Sequence, residues 1–372
     1  MARRPPSFRN GMKRLMIALL AAFAAASMLA EETVQQAAPA KSPVAERVDR
    51  LVRDSLPLCG DYKISRAAAP VDLPSGFTGS LVKIESDRAA CEGQYITVLS
   101  NNGGFYIGTP WQLSGTEGAT LEEKLKNFTW TALKESFEPK IDRTRTADGL
   151  FKVTLSQTTE RGKVPLEGEI DPAGTTFFLG HFHRIDENLA AARLKAFEPH
   201  VAHAPTEGAA KPAVTVIEFS DFECPSCQHA SKYLEPILAK YGEKVRYVRF
   251  DLPLLSNHPW AFAAAVAGRA IYRQKPEAFW DYKKNVYANQ SEITAFTIDD
   301  FARNFAKDRD LDMQRYDADV ASQDVKDEIL RGVGAAFSND IRATPTYVVN
   351  GVLVDAGPEG KALEEYVGKM VK

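Results

Sequence analysis

The stretch Val216–Cys227, VIEFSDFECPSC, decides the fold of the C-terminal half of this 372-residue chain. It begins inside Val214–Ser220, a short run of β-branched and aromatic residues that is typical of a buried strand. Beyond it, Pro225–Tyr241 places apolar residues at helical spacing. The stretch therefore predicts a strand that leads directly into a helix, with two cysteines at the junction.

Cys224 and Cys227 have the spacing of a reactive thiol pair. A sulfur at a helix N-terminus is stabilised as a thiolate by unpaired backbone N–H groups and by the helix dipole. A second cysteine one turn inside the helix can close a disulfide onto the first. Zinc is the usual competitor for this spacing, but it needs four ligands and no second pair lies nearby in the sequence. We therefore expect a redox pair and no metal.

Two further features favour thiol chemistry. Glu218 lies on the predicted buried strand, where a carboxylate is costly unless it has a task. It could accept or relay the proton of Cys227 through a water, although a glutamate at the rim of the strand is the alternative. Thr344 and Pro345 precede a later strand. In a cis form, Pro345 would place the Thr344 backbone beside the reactive sulfur, ready to pair with an extended substrate, although a proline at a strand entrance can be ordinary.

The rest of the C-terminal half alternates between strand and helix patterns. Val245–Phe250 predicts a second strand, and a long helical block extends from Pro259 to about Ala336. Thr346–Val349 and Val352–Val354 flank an Asn-Gly dipeptide, which is the strongest short hairpin signal. The segment 358–371 predicts a closing helix, and the whole half is predicted to be α/β.

These residues resemble the DsbA-type thioredoxin-fold proteins. The resemblance is carried by Val216–Cys227, by the helical block and by Ala343–Gly351, ATPTYVVNG. It implies a domain over 214–372, with a thioredoxin fold interrupted by helices at about 258–336. It also implies that Pro345 is the cis-proline and Glu218 the buried acid, and no cofactor is expected. The oxidases of that family often carry Pro-His between the cysteines, whereas this chain has Pro-Ser, so its oxidising strength stays open.

The first thirty residues predict a signal peptide. They contain five basic residues, no acid, and a short apolar run over Leu15–Ala26. Cleavage is expected, with an uncleaved anchor as the alternative. The whole chain carries a formal charge of −3, so the exported part carries about −8. Nucleic acid is excluded as a partner, because phosphate contacts need clustered basic residues.

The region between the signal and the C-terminal half is predicted to contain two similar α+β units. After a flexible lead-in at 31–44, the units are expected at 45–128 and 129–197, followed by a linker at 198–213. Phe105–Gly108, FYIG, recurs seventy-two residues later as Phe177–Gly180, FFLG, each after a turn. Two unrelated hairpins are the alternative to this tandem duplication.

Ser100–Gly108 weakly resembles the dimerisation domain of the DsbC and DsbG isomerases, which implies a possible dimer. A duplication could also replace dimerisation or widen a substrate cleft.

Cys59 and Cys91 form the other cysteine pair. An even cysteine count in an exported chain fits an oxidising compartment. A structural disulfide between them would close a loop of about thirty-three residues and stabilise the fold by roughly 3–4 kcal/mol. A second redox pair and two free thiols are the alternatives.

The sequence as a whole predicts an extracytoplasmic, periplasmic thiol–disulfide oxidoreductase, most simply an oxidase of folding proteins. Its expected partners are unfolded or reduced secreted proteins and a membrane redox partner of the DsbB or DsbD kind. An isomerase or reductase is the first alternative. A chaperone-like binding module, in which the cysteines are incidental, is the second.

Overall fold

The computed structural model describes residues 43–57, 62–86 and 92–372. The predicted signal peptide, the lead-in at 31–42, Cys59 and Cys91 lie outside the described residues. Within the described part of the chain, no helix is long and apolar enough to cross a membrane.

The N-terminal region consists of two five-stranded sheets and three helices. The first half of its elements are α1 (Pro43–Ser55), β1 (Tyr62–Ala68), β2 (Phe77–Ser86), β3 (Gly93–Ser100), β4 (Gly104–Ile107), β5 (Trp111–Gln112) and α2 (Leu121–Phe128). After a π-helical turn at Thr129–Leu133 come β6 (Phe137–Arg145), β7 (Phe151–Thr159), β8 (Gly162–Ile170), β9 (Thr176–Leu179), β10 (His183–Arg184) and α3 (Leu189–Val201).

The two sheets exchange their fifth strands. Each sheet is an antiparallel meander, with order β1-β2-β3-β4-β10 in one and β5-β9-β8-β7-β6 in the other. Trp111 of β5 lies opposite Phe177 of β9, and His183 of β10 lies opposite Phe105 of β4. His183 lies seventy-two residues after Trp111, and Phe177 lies seventy-two residues after Phe105. This is the same offset that separates the FYIG and FFLG segments. The short strand that ends each half therefore completes the sheet of the other half.

Apolar side chains fix these helices on the sheets. Val48, Leu51 and Val52 on one face of α1 are buried against the first sheet, in a cluster that Leu189 at the start of α3 also joins. Leu125 of α2 belongs to the core of the second sheet. The spacing of the α1 residues is the three-to-four-residue repeat that predicted a helix there.

The C-terminal domain is built on a third sheet with the order β11-β13-β12-β14-β15. Its strands are β11 (Thr206–Gly208), β12 (Val214–Ser220), β13 (Val245–Asp251), β14 (Thr346–Val349) and β15 (Val352–Val354). Its helices are α4 (Pro225–Tyr241), α5 (Ala261–Gln274), α6 (Pro276–Ala288), α7 (Ile298–Asp308), α8 (Met313–Ala321), α9 (Gln323–Ser338) and α10 (Lys361–Met370). β12 and β13 are parallel, and β14 is antiparallel to β12. Helices α5 to α9 form the insertion between β13 and β14.

The N-terminal region packs firmly on this domain through α9 and β8. The Glu167 backbone N–H donates to Ser338 Oγ over 2.8 Å. At Gly334 a side chain has no room, because a Cβ atom there would lie 1.9 Å from the Pro165 carbonyl oxygen. Close approach of a helix to a strand requires a glycine at such a point. One continuous apolar core extends from the second sheet into the thioredoxin-like sheet.

The segment predicted as a linker, residues 198–213, contains some regular structure. Helix α3 continues to Val201 despite Pro199, and Thr206–Gly208 forms the edge strand β11 beside β13. The proline- and glycine-rich composition indicated a connection, but composition does not reveal main-chain pairing with a distant strand.

Candidate active site

Cys224 lies at the N-cap of α4, immediately before Pro225. Its carbonyl accepts from the N–H groups of Cys227 and Gln228, both over 3.1 Å, so the turn that carries the two cysteines is the first turn of the helix. Both residues are present as thiols. Cys224 retains 7% exposure, whereas Cys227 is fully buried. One sulfur is therefore within reach of another molecule and the other is shielded behind it.

The environment separates the two sulfurs electrostatically. The Cys227 thiol donates a hydrogen bond to the Cys224 sulfur, and so do the backbone N–H groups of Cys227 and Ser226. Together these donors lower the pKa of Cys224 to about 5. Burial, the hydrogen bond to Cys224 and the charge of Glu218 together raise the pKa of Cys227. At neutral pH the outer sulfur is a thiolate and the inner sulfur holds its proton.

Thr344 and Pro345 lie against the outer sulfur, although they are 120 positions away in the chain. The Thr344–Pro345 peptide bond is cis, as the sequence predicted. The Cys224 Sγ lies 3.5 Å from the Thr344 carbonyl oxygen, to which it donates only when it is protonated. The backbone beside the reactive sulfur is thus that of the predicted substrate-binding dipeptide.

Glu218 is 1% exposed, in the middle of β12, so it is not a rim residue. One carboxylate oxygen accepts a short hydrogen bond from the Tyr247 hydroxyl, and the other accepts from Ser220 Oγ over 3.3 Å. The charge of this carboxylate acts on the inner sulfur and contributes to the raised pKa of Cys227. The structure therefore brings together the four sequence-predicted elements: Cys224, Cys227, Glu218 and Thr344-Pro345.

Sequence reasoning missed Tyr247 and Lys283. Lys283 of α6 is 4% exposed and donates from Nζ to the Tyr247 hydroxyl over 3.2 Å. Burial lowers the pKa of Lys283. Tyr247 lies on the predicted strand Val245–Phe250, but no local signal pairs it with a lysine thirty-six positions away.

Sequence reasoning also missed a set of interacting residues that anchors the loop before Cys224. Asp221, fully buried in its side chain, accepts from the Leu254 backbone over 2.7 Å and pairs with His258 Nδ1 over 2.8 Å. Burial opposes protonation of His258, but the hydrogen bond and charge of Asp221 outweigh it and raise the pKa of His258. Glu223 caps the start of α5 through the N–H of Trp260. These acids hold the first turn of the insertion against the redox loop.

Within the described ranges, no three His, Cys, Asp or Glu side chains are grouped in a way that could hold a metal ion. What the site offers is one accessible low-pKa sulfur, one buried sulfur, a buried carboxylate and a strand-like backbone.

Comparison with known proteins agrees with this arrangement. Residues 202–369 match the family model described as Thioredoxin, which confirms the predicted fold of the C-terminal domain. The probable disulfide bond formation protein D of Bacillus cereus is 28% identical over 165 residues, which are 43% of this chain and 74% of that protein. The crystal structure of oxidised BdbD from Bacillus subtilis covers 46% of this chain and 94% of its own, with 20% identity and a TM-score of 0.41.

A different class of relative also matches part of the chain. The Na(+)/H(+) antiporter NhaA 3 of Salinispora tropica is 37% identical over 138 residues, which are 37% of this chain. The chain spans only 20% of the length of that antiporter.

Proposed function

We propose that this chain, whose residues 202–369 match the family model described as Thioredoxin, is an exported thiol–disulfide oxidoreductase that acts mainly as an oxidase of folding proteins. The observation that carries the proposal is the pair of opposed sulfurs. Cys224 has a pKa of about 5 and remains accessible, whereas Cys227 is buried behind it with a raised pKa. Such an asymmetry is what sequential disulfide exchange requires.

The reaction begins with the oxidised enzyme. A substrate thiolate attacks Cys224, the Cys224–Cys227 bond breaks, and Cys227 leaves as a thiolate that takes up the proton lost by a substrate thiol, by way of Glu218. The second substrate thiolate then attacks the substrate sulfur of the mixed disulfide. Its disulfide forms, and Cys224 leaves as a thiolate. The substrate has lost two electrons, the enzyme has gained them, and the backbone of Thr344 and Pro345 holds the substrate strand during both steps.

The oxidising direction follows from the leaving group. A sulfur with a low pKa leaves readily, and its stability as a thiolate favours the reduced enzyme, which makes the disulfide form a strong oxidant. The Pro-Ser dipeptide lacks the histidine often found in oxidases of this kind. The histidine in this chain that interacts with the charge of Cys224 is His258 of the insertion.

Reactivation of reduced, unfolded ribonuclease tests the direction. The oxidised enzyme should restore activity faster than glutathione disulfide alone, and Cys224→Ala should abolish the effect. Undiminished activity in Cys224→Ala would defeat the enzymatic proposal and favour a chaperone-like module.

The N-terminal region favours isomerase activity as the second candidate. Its two interlocked sheets resemble, in sequence around Ser100–Gly108, a domain of disulfide isomerases. Faster recovery of activity from scrambled ribonuclease than from the reduced form would support that role over the oxidase role.

Location and partners complete the proposal. The basic and apolar N-terminal thirty residues support export to an oxidising compartment, where folding secreted proteins would be substrates. A membrane protein of the DsbB or DsbD kind would restore the redox state of the pair. Because each half of the N-terminal region already receives its fifth strand from the other half, self-association is not needed to complete either sheet. Sedimentation analysis distinguishes the monomer that this favours from a dimer.

A further inference from the structure

We propose that Tyr247 and Lys283 connect Glu218 to solvent and carry the proton of Cys227 out of the protein during disulfide exchange. The inference rests on the proposed function, since it concerns the same thiol pair. It assigns a role to the inserted helical region, because Lys283 belongs to α6 and not to the thioredoxin-like sheet.

A buried acid beneath a buried thiol needs an exit for its proton. Cys227 is fully buried and Glu218 is 1% exposed, so neither exchanges protons with bulk water directly. The Tyr247 hydroxyl, on the neighbouring strand, donates to Glu218 and accepts from Lys283 Nζ over 3.2 Å. The Lys283 ammonium also lies 5.1 Å from the centre of the Tyr247 ring, which holds the lysine in place.

The outer end of this chain of hydrogen bonds reaches the surface. Lys283 borders an open cleft of about 450 Å³ on the side of the sheet covered by Trp280, with Glu207, Glu235 and Lys284 as its charged walls. A second cleft of about 360 Å³ lies beside it and shares Lys283. The hydrogen-bonded groups thus extend from Glu218, whose charge acts on the inner sulfur, to a cleft that is open to solvent.

The charged and titratable groups around Glu218 favour proton transfer between Glu218, Tyr247 and Lys283 over a fixed ion pair. The groups whose charges interact with Glu218 come from β13, β14, α4 and α6: Tyr247, Arg249, Tyr347, Cys227, Tyr233, Lys283 and Tyr287. Burial and Arg249 favour the neutral amine of Lys283, while Glu218, Glu235 and Glu207 favour the ammonium. These opposing influences allow Lys283 both to take a proton and to release one.

The step balances as follows. When Cys227 attacks the mixed disulfide on Cys224, its proton passes to Glu218 and the departing partner leaves as a thiolate. The Lys283 ammonium releases one proton to water in the cleft. The Tyr247 hydroxyl proton then moves to Lys283 while Glu218 passes its proton to the Tyr247 oxygen, which restores the ammonium. The net result is one new S–S bond, one broken S–S bond and one proton delivered to solvent.

Resolution of a Cys224–glutathione mixed disulfide isolates this step. The mixed disulfide is formed on each full-length variant, and release of glutathione is followed in a rapid-mixing experiment between pH 5 and pH 9. Tyr247→Phe and Lys283→Met should each slow release about tenfold at pH 7, which corresponds to about 1.4 kcal/mol. The difference from the wild-type rate should narrow as the pH rises, because a higher pH favours loss of the Cys227 proton to solvent whichever route the proton takes.

Lys284→Met is the matched control, because Lys284 is an adjacent exposed lysine whose ion-pair partner is Glu235 at 3.7 Å. It should release glutathione at the wild-type rate across the whole pH range. Circular dichroism and the thiolate absorbance of Cys224 verify that each variant is folded with an intact outer sulfur. If Lys283→Met fails to fold, Tyr247→Phe alone tests the proposal, because this substitution removes only the hydroxyl oxygen and leaves the ring in place.

Two outcomes separate the failure of this inference from failure of the proposed function. If the wild-type protein forms the mixed disulfide and resolves it, but both folded variants keep its pH profile, the connection through Tyr247 and Lys283 is refuted while thiol exchange stands. If the wild-type protein does not react with glutathione disulfide at all, the proposed function itself fails.

Discussion

Replacing Cys224 with serine should remove a pH-dependent part of the folding free energy of the reduced protein. The pKa of Cys224 is about 5 in the folded state, against an ordinary value of 9.0. Because the folded pKa is the lower one, the thiolate contributes its full stabilisation above pH 9 and loses it as the pH falls through 5. Between these limits each pH unit is worth about 1.4 kcal/mol.

The stabilisation at pH 7 follows from the fact that pH 7 lies two units above the folded-state pKa of Cys224. The upper limit is about 2.7 kcal/mol, and solvent screening of the half-shielded sulfur reduces it to about 1–2 kcal/mol. The assay is urea denaturation of wild-type and Cys224→Ser protein, both kept reduced, from pH 5 to pH 8. Comparing the two proteins cancels the titrating groups that do not interact with Cys224. The difference in unfolding free energy should grow by about 1–2 kcal/mol between pH 5 and pH 7. A difference that stays constant with pH would refute the role assigned to the helix N-terminus and to Cys227.

Three further changes probe other parts of the molecule. Glu218→Gln should slow resolution of the glutathione mixed disulfide on the order of 100-fold at pH 7, because the base beside Cys227 is lost; an unchanged rate in rapid mixing would contradict this. Gly334→Ala should destabilise the protein by about 1–3 kcal/mol in urea denaturation, because the new methyl group meets the Pro165 carbonyl; wild-type stability would mean that α9 and β8 do not pack as described. Peptide mapping of non-reduced protein secreted into an oxidising compartment should yield a peptide that joins Cys59 to Cys91; two free thiols there would contradict the predicted structural disulfide.

Most of the C-terminal fold could be predicted because its signals are local. Val214–Ser220, Thr346–Val349 and the Asn350-Gly351 turn each specify their own conformation through side-chain shape and turn chemistry. The strand-to-helix junction at Cys224 is equally local. The prediction therefore gave the bounds of these elements to within a residue or two.

Features that depend on contacts between distant segments could not be predicted. The exchange of β5 and β10 involves two-residue strands with no periodicity of their own, so the repeat was visible but the pairing was not. Lys283 lies in an ordinary helical pattern, where a lysine is normally exposed, and only the packing of α6 on the sheet buries it. The site was found through its sulfurs and its acid, whereas the groups that connect the acid to solvent required three dimensions.

The reduction potential of the Cys224–Cys227 pair tests the central claim most directly. The protein is equilibrated at pH 7 in glutathione buffers of graded potential, and the oxidised fraction is read by alkylation and mass spectrometry. Because the outer thiolate is strongly stabilised, we expect a value closer to about −120 mV, typical of a strong oxidant, than to about −270 mV, typical of a reductant. A value near the reductant, or a pair that forms no disulfide in oxidising buffer, would contradict the assignment of an oxidase.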